Sequence, residues 1–307
     1  LETVSRTDDD TWDINESVGA TALGVAMARA HETASDSPLF LDPYAQMFLD
    51  AAAGRGWTPP RGPMAERIRT IGDYAASRTK WFDEFFIAAG ANGVRQAVIL
   101  AAGLDARAWR LPWIDDSVVY EIDQPKVLQF KAEVLESHHA QPAAPHVAVP
   151  VDLRQDWPSA LRQAGFDPSQ PTAWSVEGLL PYLPATAQDL LFERITELSV
   201  RDSRIAVEGF SVDFFTEDYL ARRQARLQQL REQAAETGHD MPDPAELWYL
   251  EERTDVATWL RDHCWQVSSV EADELMARYH RVLTDDSDDG RVPSVFVEGI
   301  LDERPEG

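Results

Sequence analysis

Ile99-Leu-Ala-Ala-Gly-Leu-Asp-Ala-Arg-Ala-Trp-Arg-Leu111 reads as the end of a buried strand, one glycine, and the start of a helix. The apolar run opens at Gln96 and continues to Ala102 without alternation, the mark of a strand covered on both faces. A backbone that turns over a ligand needs little side chain at its closest approach. Gly103, with Ala101 and Ala102 before it, supplies that. The turn lacks the GxGxxG spacing of dinucleotide sites, and Asp105 would repel a pyrophosphate.

Further runs lie at Ser117–Ile122, His146–Val151, Ala173–Val176, Arg204–Phe210, Trp265–Val270 and Ser294–Leu301. Helical patterns at Pro125–Ser137, Pro158–Ala164 and Ala185–Val200 separate the early ones. Such alternation predicts a parallel sheet, because parallel neighbours need crossovers. The last two runs, joined by a short helix near Glu271–Tyr279 and an acidic loop, predict an antiparallel edge pair. Ahead of the sheet, helices are expected over 15–34, from Asp42-Pro43 onward, and over Met64–Ala88. A helical insertion over Thr216–His263, broken at Met241-Pro-Asp-Pro244, has two open readings: a cap over the site, or a solvated pair packed away from it. The expected organisation is one α/β domain with a Rossmann-like, seven-stranded, mostly parallel sheet. Its parts are an N-terminal helical cap (1–92), the core sheet (93–212), the insertion (213–263) and C-terminal strands (264–307).

Chemistry gathers at the carboxyl ends of the strands, where open α/β sheets bind ligands. Twenty residues after Gly103 the second strand ends Glu121-Ile-Asp123, placing an acid to accept from both ribose hydroxyls of an adenosine. Residues two apart share a side, so one acid could bind ribose and the other orient it; either could instead cap the helix beginning at Pro125. The third strand ends at Asp152-Leu153, an acid for an adenine amino group and a side chain to cover the ring. The fourth ends at Glu177-Gly178, where the sheet would meet a sulfonium, with Tyr182 shortly after. Arg78 lies on the apolar face of its helix, four residues after Tyr74 and three before Trp81. A buried guanidinium needs a carboxylate, and an internal acid or a ligand could provide it. Arg29 invites the same argument.

Composition narrows the partners. There are 28 basic and 53 acidic residues, a net charge of −25. That field repels phosphate backbones and anionic lipid, so no nucleic acid and no membrane are expected as partners. The single cysteine, Cys264, permits no intrachain disulfide and, among Trp259, Leu260 and Trp265, is expected to be buried and structural. With no secretion-type leader at the start, the location expected is cytoplasmic. No His-Glu-x-x-His, Gly-x-Ser-x-Gly or Walker pattern occurs, and no metal site is expected. Asp285–Gly290 imitates a calcium loop, but Phe296 stands where its bidentate Glu belongs, so a solvated acidic loop is expected.

Taken together, Ser17-Val-Gly-Ala-Thr-Ala22, Ser77-Arg-Thr-Lys-Trp-Phe-Asp83, Ala102-Gly-Leu-Asp-Ala-Arg107, Glu121-Ile-Asp-Gln-Pro125, Val151-Asp-Leu153 and Glu177-Gly-Leu-Leu-Pro-Tyr-Leu183 resemble the leucine carboxyl methyltransferase family. The likeness is to its actinobacterial, mycobacterial-type branch of S-adenosyl-L-methionine-dependent methyltransferases. It implies the same seven-stranded sheet and S-adenosyl-L-methionine as cofactor. Asp123, Asp152 and Leu153 would contact the adenosine half, Gly103 and Glu177 would line the methionine half, and Arg78 would hold a carboxylate. Ala101 departs from the family, which usually has glycine there. The reaction expected is O-methylation of a carboxylate on a small-molecule or peptide acceptor, with Arg78 positioning it and Tyr182 near the methyl. The alternatives are a nicotinamide-dependent dehydrogenase and a cofactor-binding protein without turnover.

Overall fold

The computed structural model describes residues 18–60, 71–222, 248–281 and 293–302, with 224, 225 and 228. The acidic loop at Asp285–Gly290 and most of the insertion lie outside them. Seven strands form one sheet: β1 (Gln96–Leu100), β2 (Val118–Asp123), β3 (His146–Pro150), β4 (Thr172–Val176), β5 (Arg204–Phe210), β6 (Trp265–Glu271) and β7 (Ser294–Leu301). Their order is β3-β2-β1-β4-β5-β7-β6. The first five are parallel, and β7 runs antiparallel to both β5 and β6. The antiparallel pair was expected at the edge. The structure places it there: β6 is the edge strand on that side, and β7 lies between it and β5.

Alternation along the strands sorts their side chains onto two faces. Val98, Leu100, Tyr120, Ile122, Trp174 and Val176 point to one face. It is covered by α6 (Trp157–Gln163), α7 (Ala185–Glu197) and α8 (Val256–Asp262) through Trp157, Leu161, Phe192 and Trp259. Ala97, Ile99, Val119, Ala173 and Ala206 point to the other. That face lies under α3 (Gly72–Ala91), α4 (Arg107–Arg110) and α9 (Ala272–Arg278). From α3, Phe82, Phe85 and Phe86 are buried there, each contributing about 1.5–3 kcal/mol by the usual transfer scale. A third cluster joins α1 (Val18–Thr33), α2 (Pro43–Gly54) and α5 (Pro125–Ser137) through Leu23, Phe48 and Phe130. Asp42 caps α2 by accepting from Tyr44 N and Ala45 N, and Pro43 fills the first helical position.

Arg29 proves to be structural: Nη2 donates to Leu104 O at 2.6 Å and Nε lies 3.4 Å from Asp42. Cys264 is half-buried rather than buried, at φ 66° in the turn between α8 and β6. No helix of the described residues is long and apolar enough to cross a membrane.

Candidate active site

After β3 the chain returns to the middle of the sheet to place β4 beside β1, so strand order reverses between those two. Such a switch point opens a crevice at the carboxyl ends. The register pairs Leu100 with both Ile122 and Val176, and Asp123 with Pro150. The turn after β1, Asp123, Asp152 and Glu177 therefore share one edge of the sheet.

At the switch point Ala101 and Gly103 both have φ 51°. Glycine adopts that left-handed conformation freely, whereas a Cβ is strained in it. A Cβ on Gly103 would also stand 3.6 Å from Cβ of Ala22 in α1, so this turn passes directly beneath the first helix. Ala101 bears the strain that glycine would relieve. Ala101→Gly is expected to stabilise the fold by about 0.5–1 kcal/mol, read as a rise in melting temperature. An unchanged or lower value would show that the methyl's packing outweighs the backbone strain.

Asp123 is pinned by backbone. Oδ2 accepts from Gly103 N and Oδ1 from Gln124 N, each at 2.6 Å. A carboxylate offers about four lone-pair sites, so one on each oxygen is left for a vicinal diol. Burial raises its pKa to about 6, against the opposing pull of the two N–H donors.

Glu121 corrects the sequence reading. It shares Asp123's side of β2 but lies two residues, about 7 Å, deeper in the sheet. Its side chain is 0% exposed, receives Lys131 Nζ of α5 at 2.5 Å and lies 2.9 Å from His146 Nε2. It is an interior ion-pair partner and faces no crevice; neither does it cap α5, whose first residues receive no side-chain cap.

Asp152 stands at the edge as expected, but its carboxylate is already engaged. Oδ1 accepts from Arg154 N and Nε, and Oδ2 from Arg154 Nη2 and Gln124 Nε2. An amino group arriving there would have to displace the Arg154 side chain, which is 38% exposed. Leu153 is half-buried beside it against the apolar cluster.

Alternation puts Ala173, Ser175 and Glu177 on the face covered by α3, and Ala206 and Glu208 likewise. Val176 pairs with Val207, so Glu177 and Glu208 end neighbouring strands side by side. Arg78 of α3 descends between them: Nε lies 3.0 Å from Glu177 Oε1 and Nη1 lies 3.2 Å from Glu208 Oε2. The Nε contact is an ion pair without hydrogen-bond alignment. Burial alone would lower the pKa of Arg78, but Glu208 and Glu177 hold it above its ordinary value. Among the described residues Nη2 of Arg78 makes no hydrogen bond. The open alternatives for Arg78 thus resolve in part: internal acids take two of its nitrogens, and the third is left for something else.

Glu177 is shared. Its Oε2 accepts from Arg107 Nη1 at 2.7 Å. Arg107, 1% exposed, also meets Asp83 at 2.7 Å and Asp105, whose Oδ1 takes the Arg107 N–H. Asp105 is thereby explained. Burial raises its pKa, but Arg107 foremost and Arg29 next outweigh that and bring it down to about 2. It turns inward to a guanidinium and is buried.

Tyr182 ends a single 3₁₀ turn, Leu180–Tyr182, and is half-buried. The returning end of the insertion docks on that turn. Tyr249 N donates to Pro181 O at 2.8 Å, and Arg253 Nη1 donates to Leu180 O at 2.8 Å while stacking on Phe210. The described end of the insertion is thus bolted beside Tyr182; whether the rest covers the crevice lies outside the described residues. Sequence reasoning missed Glu208, Arg107 and Tyr74. A signal existed for Glu208, the one acid in the apolar run Arg204–Phe210.

The family model described as leucine carboxyl methyltransferase matches residues 22–196. A protein of Mycolicibacterium paratuberculosis is 53% identical over 97% of this chain and 98% of its own length. One from Mycobacterium marinum is 54% identical over 96% and 98%. Both are assigned by name as S-adenosyl-L-methionine-dependent methyltransferases. Among solved structures, a DUF574 family protein from Streptomyces avermitilis aligns over 92% of this chain and 97% of its own, with TM-score 0.52 and 14% identity, a likeness of fold.

Proposed function

The chain belongs to the leucine carboxyl methyltransferase family, and from that membership we propose how its sheet edge serves an S-adenosyl-L-methionine-dependent methyltransferase. The residues present fit the donor. Asp123 keeps two acceptor sites for the ribose hydroxyls, Gly103 lets the backbone approach, and Leu153 offers an apolar surface to the purine. Asp152 takes the amino group once Arg154 yields.

One observation carries the reading of the other half: Arg78 and Glu177 stand 3.0 Å apart with opposite charge at the switch point. An α-amino acid presents an ammonium and a carboxylate at similar spacing. Glu177 accepts from the donor's ammonium, and the spare Nη2 of Arg78 binds its carboxylate. Arg78, expected to position the acceptor, thus positions the donor.

When bound, the donor supplies a methyl group on a sulfonium, already activated for in-line displacement at carbon. The protein's task is orientation and exclusion of water. The acceptor is a carboxylate on a small molecule or peptide, methylated on oxygen near Tyr182. Two things support this: the family's description, and the ionisable groups gathered at this edge, which are carboxylates, arginines and Tyr182. A carboxylate arrives ionised and needs no base.

The test is incubation with S-adenosyl-L-methionine and a panel of carboxylic acids and peptides, scored by S-adenosyl-L-homocysteine formed. Arg78→Ala is expected to abolish turnover and to weaken S-adenosyl-L-homocysteine binding by about 30-fold, while adenosine, lacking the amino-acid half, binds as before. Unchanged homocysteine-derivative affinity would remove Arg78 from the donor site.

A further inference from the structure

We propose that Glu208 is the positioning residue of the donor site, fixing the Arg78 guanidinium so that Nη2 faces the donor's carboxylate. The inference rests on the reading of Arg78 just given and concerns a residue that touches no ligand itself.

Glu208 is a lone acid in an apolar strand, its side chain 11% exposed, next to Glu177 on the neighbouring strand. Like charges at adjacent strand positions repel, and a cation between them offsets that repulsion. Arg78 fills that place. The rest of the Glu208 carboxylate is fully employed in holding the arrangement. Oε1 accepts from the Tyr74 hydroxyl, and Oε2 accepts from Gly178 N at 2.7 Å. Tyr74 and Arg78 are four residues apart and share a face of α3. A single carboxylate therefore ties that helix face to the turn after β4.

The turn is fitted to this contact. Gly178 has φ 64°, and a Cβ there would lie 3.6 Å from Arg78 Nη1 and 3.9 Å from Glu208 Oε2. A free arginine side chain samples many rotamers and loses that freedom when it is fixed. With Nη1 on Glu208 and Nε beside Glu177, most of that freedom is gone before the donor arrives, and binding does not have to remove it.

The experiment is a double-mutant cycle on binding, by titration calorimetry of the full chain with S-adenosyl-L-homocysteine and, separately, with adenosine. Glu208→Gln preserves shape and loses the charge; it should weaken S-adenosyl-L-homocysteine by about tenfold and leave adenosine within about twofold. In an Arg78→Ala background the same change should add less than about twofold, because the residue through which Glu208 acts is gone. Glu208→Asp keeps the charge on a shorter stem and should fall between; it also carries the test if the Gln variant fails to fold. Equal losses for both ligands would mean a general structural role and overturn the proposal. So would a full tenfold effect persisting without Arg78. If Arg78→Ala weakens S-adenosyl-L-homocysteine but Glu208→Gln does not, the positioning role falls and the donor site stands. If Arg78→Ala changes nothing, the donor reading falls and takes this one with it.

Discussion

Replacing Arg107 by Ala is expected to lower the stability of the chain by about 3–5 kcal/mol. Its guanidinium is 1% exposed and meets three carboxylates: Asp83 at 2.7 Å, Glu177 at 2.7 Å, and Asp105. Removing the cation strands those charges. Asp83 retains Arg110 at 2.6 Å and Glu177 retains Arg78, but Asp105 loses its direct partner. Asp105 then has to ionise unpaired in the interior or take up a proton. Because Asp105 titrates at about 2 in the intact fold, below an ordinary Asp, its contribution is present at neutral pH and disappears as pH falls through that value. The variant should therefore lose most at neutral pH and less at pH 3, which lies inside the window between the ordinary Asp value and about 2 over which the contribution fades. Urea unfolding at pH 7 and pH 3 measures both. A loss under about 1 kcal/mol at pH 7 would mean that neighbouring arginines re-pair the cluster.

Asp123→Asn should weaken S-adenosyl-L-methionine binding by about 30-fold or more, near 2 kcal/mol. The amide must turn one NH₂ toward Gly103 N or Gln124 N, both of them donors, so a backbone contact and a ribose contact are lost together. The pH dependence separates this from simple misplacement. Burial holds the free chain's Asp123 near pKa 6, so below that pH the site is protonated. Hydroxyl donors favour the carboxylate, so binding expels the proton and lowers that pKa. Affinity should accordingly rise with pH up to about 6 and level off above it. The Asn variant, with nothing to titrate there, should give a flat profile through the same range. A parallel slope in both proteins would assign the dependence to another group.

The contrast between Glu121 and Asp123 shows how far the sequence could be read. Strand runs, Gly103 and acids at strand ends are local features, fixed by period and by burial on both faces. They sufficed to predict the sheet and the gathering of Asp123, Asp152 and Glu177 at one end of its strands. Depth along a strand is a different matter. Glu121 and Asp123 share a side, but only the fold reveals that Lys131 reaches back from α5 to claim the deeper one. Arg78 makes the same point. Its helix spacing demanded an anion, whereas the identity of Glu177 and Glu208 depended on the register of β4 against β5. Asp152 was placed correctly at the edge, yet its engagement by Arg154 depends on rotamers that no spacing encodes. The strain at Ala101 follows from a departure visible in the sequence, and the structure supplies its sign.

The most direct measurement is a crystal structure of the chain with S-adenosyl-L-homocysteine. The geometry predicts one molecule across the ends of β1 and β4, with ribose hydroxyls on Asp123, the ammonium on Glu177 and the carboxylate on Nη2 of Arg78. A molecule bound elsewhere, or one whose ribose makes no bond to Asp123, would contradict the assignment.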